Sequence, residues 1–159
     1  MEKLYQGEFS PKGLSPLPLA CVGDGVYELL VREHLLAQGN CPVKRLNSRK
    51  VELVRCQFQA QALELLWPRL TGEEQEVALR GRNAHVGHVP KNANVADYHG
   101  ATALEALFGY LYLGGEVSRL RELFGLTAIP PFQRWLEDMG FVENGKLTEL
   151  AGDASVLLS

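Results

Sequence analysis

Apolar residues recur at intervals of three and four along most of this chain, and runs of β-branched residues are few. That spacing is typical of amphipathic helices and predicts an all-α fold. Thr71 with Glu74 has the spacing of a capping box, which predicts a helix start. The predicted helices span about 19–38, 48–66, 71–81, 95–114, 116–124 and 131–139.

The Pro130–Pro131 pair predicts a boundary, because a residue that precedes proline avoids the helical conformation. We therefore expect a compact main domain over residues 1–126 and a carboxy-terminal extension of unknown role over residues 127–159. Residues 84–94 contain two histidines and a proline, and they predict an ordered functional loop or a flap between helices.

Composition and charge exclude few classes of function. At 159 residues the chain is long enough for one good hydrophobic core. The net charge is −3, but the cations are clustered: five lie within residues 44–55, and residues 78–96 contain cations and no acid. Such patches can follow a phosphate backbone, although each can also be an ordinary solvated face.

The sequence predicts neither a membrane span nor disulfides. The longest apolar run, residues 101–113, is interrupted by Glu105, and the amino end does not resemble a signal peptide. The three cysteines form no CxxC pair, so we expect free thiols in a reducing cytoplasm.

Two carboxylates, Asp24 and Glu105, stand in otherwise apolar helical sequence. An ionised acid in such surroundings must be paired, hydrogen-bonded or bound to a metal. Glu28 lies one helical turn after Asp24, so three acids could converge on one site of the kind that Mg²⁺ prefers. The alternative is a buried salt bridge, for instance to Arg32 or Arg82.

Residues 23–29, Gly-Asp-Gly-Val-Tyr-Glu-Leu, resemble the signature helix of ribonuclease III enzymes. Residues 104–113, Leu-Glu-Ala-Leu-Phe-Gly-Tyr-Leu-Tyr-Leu, resemble the second motif of that family. Between them, residues 81–84 and 90–92 look like the Mini-III branch, whose members have no double-stranded-RNA-binding domain. Full-length ribonuclease III enzymes carry two further acids where Ala20 and Thr102 stand here, and Mini-III relatives also lack both.

The resemblance implies a compact, all-helical endonuclease that cleaves double-stranded RNA and leaves 5′-phosphate and 3′-hydroxyl ends. It implies that Asp24 and Glu105 are the catalytic, metal-holding acids, with Mg²⁺ as the cofactor and Mn²⁺ able to substitute. It also implies a homodimer, precursor 23S ribosomal RNA as substrate and a ribosomal protein as a further partner. Residues that match family segments in or beside the loop are expected to bind RNA: Arg82, Asn83, Lys91 and Asn92. For the two asparagines, a role in loop structure or helix capping is an equal alternative.

Several alternatives stay open on the sequence alone. The loop histidines, His85 and His88, could donate protons, or they could simply face solvent. Tyr27 is expected to be a packing residue. The whole chain could instead be a non-catalytic RNA-binding or ribosome-assembly protein on the same fold, or a helical hydrolase of small nucleotides. A cleavage assay on duplex RNA with and without EDTA separates these classes.

Overall fold

A computed structural model describes residues 3–84, 87–138, 142–143 and 146–147 of the chain. The all-α prediction is confirmed, with a single pair of two-residue antiparallel strands, Val142–Glu143 and Lys146–Leu147, near the carboxyl end. The helices within these residues are α1 (Pro16–Ala37), α2 (Val43–Leu53), α3 (Cys56–Leu66), α4 (Gly72–Arg82), α5 (Val95–Leu113) and α6 (Val117–Asp138).

Helix α5 forms the centre of the fold. Between Gly100 and Leu113 every residue is buried except Glu105, Tyr110 and Tyr112. A helix that is apolar on all sides must be surrounded by other elements, and α1, α3, α4 and α6 pack around it. The core that results includes the fully buried side chains of Leu35, Leu66, Leu104, Leu107, Phe108 and Leu123.

Small residues let neighbouring helices approach the backbone of α5. A Cβ atom on Gly81 of α4 would lie 2.7 Å from Cβ of Ala106, and a Cβ on Gly100 would lie 2.9 Å from Cβ of Ala60 on α3. Both positions therefore have little room for a side chain.

The predicted helix over residues 48–66 is wrong in one respect, because two helices occupy this region. Helix α2 ends at Leu53, and Arg55 is extended, with φ −61° and ψ 144°, before α3 begins. No glycine or proline marks this break. It places Leu53 in the core and leaves the Leu53 carbonyl at a helix end, where no intrahelical donor reaches it.

The predicted boundary at Pro130 and Pro131, between separate helices over about 116–124 and 131–139, is also wrong, because α6 runs continuously through both prolines. Each proline removes one backbone donor, which weakens a helix without forbidding it. The hydroxyl of Thr127 donates to the carbonyls of Leu123 and Phe124 in the preceding turn. The boundary at residues 126–127 falls within α6, and the division of the chain into two parts stays a prediction.

The capping box that opens α4 is confirmed. The amide of Glu74 donates to the Thr71 hydroxyl at 3.2 Å, and the amide of Thr71 donates to the Glu74 carboxylate at 2.9 Å. The same carboxylate accepts two hydrogen bonds from Arg119 of α6, which joins the two helices. In the described part of the chain, no helix has the length and the apolar character that crossing a membrane would require.

Candidate active site

Helices α1 and α5 cross in direct backbone contact. A Cβ atom on Gly23 would stand 1.6 Å from the carbonyl oxygen of Glu105, and one on Gly109 would stand 2.0 Å from the carbonyl oxygen of Leu19. No side chain fits at either position, so the crossing depends on glycine at both. These two glycines belong to the two sequence motifs that carried the resemblance.

The crossing brings the two predicted acids together. Asp24 directly follows Gly23 on α1, and Glu105 lies at the contact itself on α5. Burial raises the pKa of the Glu105 carboxyl to about 8, and the charge of Asp24 adds to the rise. Desolvation also raises the pKa of Asp24, with a further contribution from Glu28. Two desolvated carboxylates in mutual repulsion favour the binding of a cation or a proton.

Neither acid is paired with a basic side chain in the part of the chain that the structure describes. Among the described residues, no salt bridge involves Asp24 or Glu105. Arg32 contacts Glu28 at 3.3 Å instead, and Arg82 is exposed at the end of α4. The alternative of a buried salt bridge for these acids is therefore not observed in the described ranges.

The expectation that Glu28 joins the two acids in one metal site is wrong. Its carboxylate accepts a hydrogen bond from Nζ of Lys50 on α2 at 2.8 Å. That bond is the main reason why the pKa of Glu28 is lowered, whereas the pKa values of Asp24 and Glu105 are raised. No cluster of three metal-ligating side chains is found within the part of the chain that the structure describes.

The donor set at the crossing fits a hard divalent cation. Mg²⁺ keeps several waters and is usually held by one or two carboxylates together with substrate phosphate oxygens. Asp24 and Glu105 supply two carboxylates, and no cation among the described residues contributes to the pKa shift of either. Asp24 is exposed and Glu105 is half-buried, so the site is open on one side to a substrate.

At the two positions where full-length ribonuclease III enzymes carry further acids, this chain has no carboxylate to offer a metal. Ala20 is buried in an apolar cluster with Val77 and Ala106. The Thr102 hydroxyl donates to the carbonyl of Tyr98 within α5. Each residue is used in packing or within its own helix.

The four residues predicted to bind RNA are all exposed. Arg82 and Asn83 directly follow Gly81, whose backbone packs on α5 beside Thr102 and Ala106. The end of α4 thus lies next to the part of α5 that carries Glu105. Lys91 and Asn92 lie in the loop before α5, and no printed contact joins them to either acid. His88 is exposed, and His85 lies outside the described residues.

The sequence does not predict the hydrogen bonds between this site and α2. Tyr27 is buried as expected, but its hydroxyl also donates to the carbonyl of Leu53 at 3.0 Å. In the sequence, Lys50 is one of five cations within residues 44–55. No local pattern could reveal these contacts, because they depend on the break between α2 and α3.

Comparison with known proteins agrees with this geometry. Residues 17–116 match the family model described as the ribonuclease III domain. The chain is 44% identical over 119 residues to Mini-ribonuclease 3 of Symbiobacterium thermophilum, which covers 75% of this chain and 92% of that protein. It is 42% identical over 114 residues to Mini-ribonuclease 3 of a Thermoanaerobacter species, covering 72% and 80% respectively.

A solved structure of a Fusobacterium nucleatum protein is also similar, with a TM-score of 0.68 at 25% identity. The match covers 76% of this chain and 98% of that one. The family match spans both helices that carry the paired acids, and the relatives match over most of their own length. The chain therefore belongs to the ribonuclease III family, within its Mini-ribonuclease 3 branch, and is an endoribonuclease.

Proposed function

We propose that this endoribonuclease cleaves double-stranded RNA with Mg²⁺ held by Asp24 and Glu105. The observation that carries the proposal is the convergence of these two carboxylates at the glycine crossing of α1 and α5, with no basic partner among the described residues. Mn²⁺, which accepts the same oxygen ligands, can replace Mg²⁺.

The roles of the two acids follow from their placement. When bound, the cation supplies Lewis-acid polarisation of a phosphate and a nucleophilic water at near-neutral pH. Asp24, the more exposed acid, would face the incoming strand, and Glu105 would hold the cation from the buried side. The rigid crossing fixes the spacing between them, so little reorganisation is needed when substrate arrives. The expected products have 5′-phosphate and 3′-hydroxyl ends.

The cations around the site support a nucleic-acid substrate. Arg82 and Lys91 are exposed and lie in a stretch with no acid, although the chain as a whole carries a charge of −3. We assign these two side chains to phosphate oxygens of the duplex. Asn83 and Asn92 add neutral donors beside them. The resemblance to Mini-III enzymes points to precursor 23S ribosomal RNA in the cytoplasm, with a ribosomal protein as a further partner.

A homodimer completes the proposal, because a two-fold pair of sites matches the two strands of an A-form duplex. The support is an apolar groove along α1. Leu29 is 44% exposed, and Val22, Val26 and Leu30 are only half-buried, so these residues exceed what the core of one chain covers. Besides Gly25, Glu33 and Arg121, the lining of the groove is apolar or aromatic: Leu4, Val22, Val26, Leu29, Leu30, Tyr112, Val117 and Leu120.

The decisive experiment is incubation of the protein with long duplex RNA, in Mg²⁺ and in excess EDTA. The expected result is a set of shortened duplexes in Mg²⁺ only, with single-stranded RNA of the same sequence cut poorly. Binding without cleavage would favour the non-catalytic alternative. Hydrolysis of free nucleotides with no effect on duplex RNA would favour the small-nucleotide alternative.

A further inference from the structure

Two consecutive residues of α1 hold α2 in place. The buried hydroxyl of Tyr27 donates to the carbonyl of Leu53 at 3.0 Å, and Glu28 accepts from Nζ of Lys50 at 2.8 Å. Leu53 and Lys50 lie one turn apart on α2. The Lys50 side chain is only 17% exposed, so its ammonium group is directed inward to Glu28 and not into solvent.

These polar contacts matter because the apolar contact between α2 and the core is small. Leu53 is its only buried residue, and Leu46 is partly buried against the core. The exposed part of the helix carries cations, including Lys44 and Arg45. A short helix with so small an apolar contact can shift or rotate unless directional bonds hold it.

The same turns of α1 and α5 carry the paired acids. Tyr27 lies three residues after Asp24, and its ring packs against Phe108, three residues after Glu105, with ring centroids 5.7 Å apart. Glu28 lies one turn after Asp24. The contacts that hold α2 therefore begin within one helical turn of the carboxylates.

We propose that Lys50 is a positioning residue for RNA cleavage: through Glu28, and with the Tyr27–Leu53 hydrogen bond, it holds the cationic face of α2 at a fixed place relative to Asp24 and Glu105. Phosphates bound along α2 then keep the scissile phosphate at the carboxylates. This inference rests on the proposed function. Lys50 itself does not contact the RNA in this inference, because its side chain is only 17% exposed and its ammonium group is directed to Glu28.

The test compares Lys50→Met with a matched control, Arg32→Met. Arg32 also contacts Glu28, at 3.3 Å, but from the same helix, so its loss leaves α2 in place. For Lys50→Met we expect kcat at saturating Mg²⁺ and RNA to fall on the order of tenfold or more, as misplacement of a substrate does. RNA affinity measured in EDTA should stay within about twofold, because the cations of α2 are still present. Arg32→Met should change neither quantity by more than about twofold.

Two further variants strengthen the test. Lys50→Arg keeps a donor for Glu28 and should recover most of the wild-type kcat. Tyr27→Phe keeps the ring in the core, removes only the bond to Leu53, and should lower kcat in the same way as Lys50→Met. The Tyr27→Phe variant also tests the inference if Lys50→Met does not fold.

Three outcomes would overturn the inference. Weaker RNA binding with a shallower salt dependence and an unchanged kcat would make Lys50 a direct phosphate contact. A lower melting temperature with unchanged kcat and RNA affinity would leave Lys50 with a structural role alone. Equal losses in Lys50→Met and Arg32→Met would point to the charge of Glu28 and not to α2. Failure of the wild-type protein to cleave duplex RNA in the same assay would instead reject the proposed function.

Discussion

Gly23 of α1 lies so close to Glu105 of α5 that a Cβ atom on Gly23 would stand 1.6 Å from the Glu105 carbonyl oxygen. This contact sets the distance between the two helices at the point where each carries its acid. The geometry of the proposed metal site therefore depends on a residue that has no side chain.

Replacing Gly23 with alanine should damage both the fold and the activity. The new methyl group meets backbone, which cannot turn aside, so α1 and α5 must move apart. Overpacking of this kind costs about 3 kcal/mol. Thermal unfolding should show a clear loss of stability, and cleavage should fall further than stability explains. Gly125→Ala is the matched control, because a Cβ there meets nothing within 4 Å. Equal melting temperatures for the two variants would contradict the described crossing.

The variants Asp24→Asn and Glu105→Gln should each abolish cleavage and leave the fold intact. An amide is a poor ligand for a hard cation, and loss of metal assistance, worth several kcal/mol, should lower kcat by at least about a thousandfold. Circular dichroism should be unchanged. Glu64→Gln, which alters an exposed acid on α3, serves as the control. Substantial activity in either folded variant would reject the assignment.

The free energy of unfolding should depend on pH in a way that reports the ionisation of Glu105. Its pKa is raised from 4.5 to about 8, so the folded state keeps a proton that the unfolded chain has already released. This contribution is present in full below pH 4.5 and is lost as pH rises towards 8. In EDTA, the melting temperature of the wild type should therefore drop relative to that of Glu105→Gln across this range.

Mg²⁺ should reverse this loss, because it binds the ionised carboxylates of the folded state. Its stabilising effect should be larger near pH 8 than near pH 4.5, and it should be much smaller in Glu105→Gln. A difference between the two proteins that does not vary with pH would show that Glu105 ionises normally.

Part of this site could be predicted from sequence, and part could not. Asp24 and Glu105 are conspicuous because their neighbours are apolar, and their motifs also contain the glycines of the crossing. The contact between Glu28 and Lys50 could not be predicted from sequence. An acid one turn from Asp24 has the same spacing whether it binds a metal or a lysine. Only the position of α2, which follows from an unmarked break at residues 54–55, decides between them. Pro130 and Pro131 have the opposite effect: they predict a break that does not occur, because α6 passes through both residues.

The homodimer is tested by Leu29→Lys. A charge placed in an apolar interface must be desolvated, which is costly without a partner. Sedimentation of the wild type at micromolar concentration should give twice the chain mass of 17.6 kDa, and the variant should sediment at the mass of one chain. Leu36→Lys is the control, because Leu36 is 51% exposed on the same helix and does not line the groove. A monomeric wild type would reject the proposed dimer.

Arg82 and Lys91 should determine how strongly RNA binding responds to salt. Each phosphate contact releases counterions, so removing one lowers the slope of log K against log salt by about 1. The double variant Arg82→Ala, Lys91→Ala should bind duplex RNA more weakly at moderate salt and show a shallower slope. Its melting temperature should change little, because neither side chain forms a salt bridge within the described ranges.

The control for this loop variant is Lys12→Ala, Arg69→Ala, which removes the same charge near the other end of α4. Lys12 contacts Glu73 in the first turn of that helix, and Arg69 is exposed just before it. If both double variants lower affinity equally, the effect comes from net charge and not from a binding surface. An unchanged slope in the Arg82, Lys91 variant would remove the loop from the RNA interface. A slope that falls only in that variant places the duplex across the end of α4, beside the segment of α5 that holds Glu105.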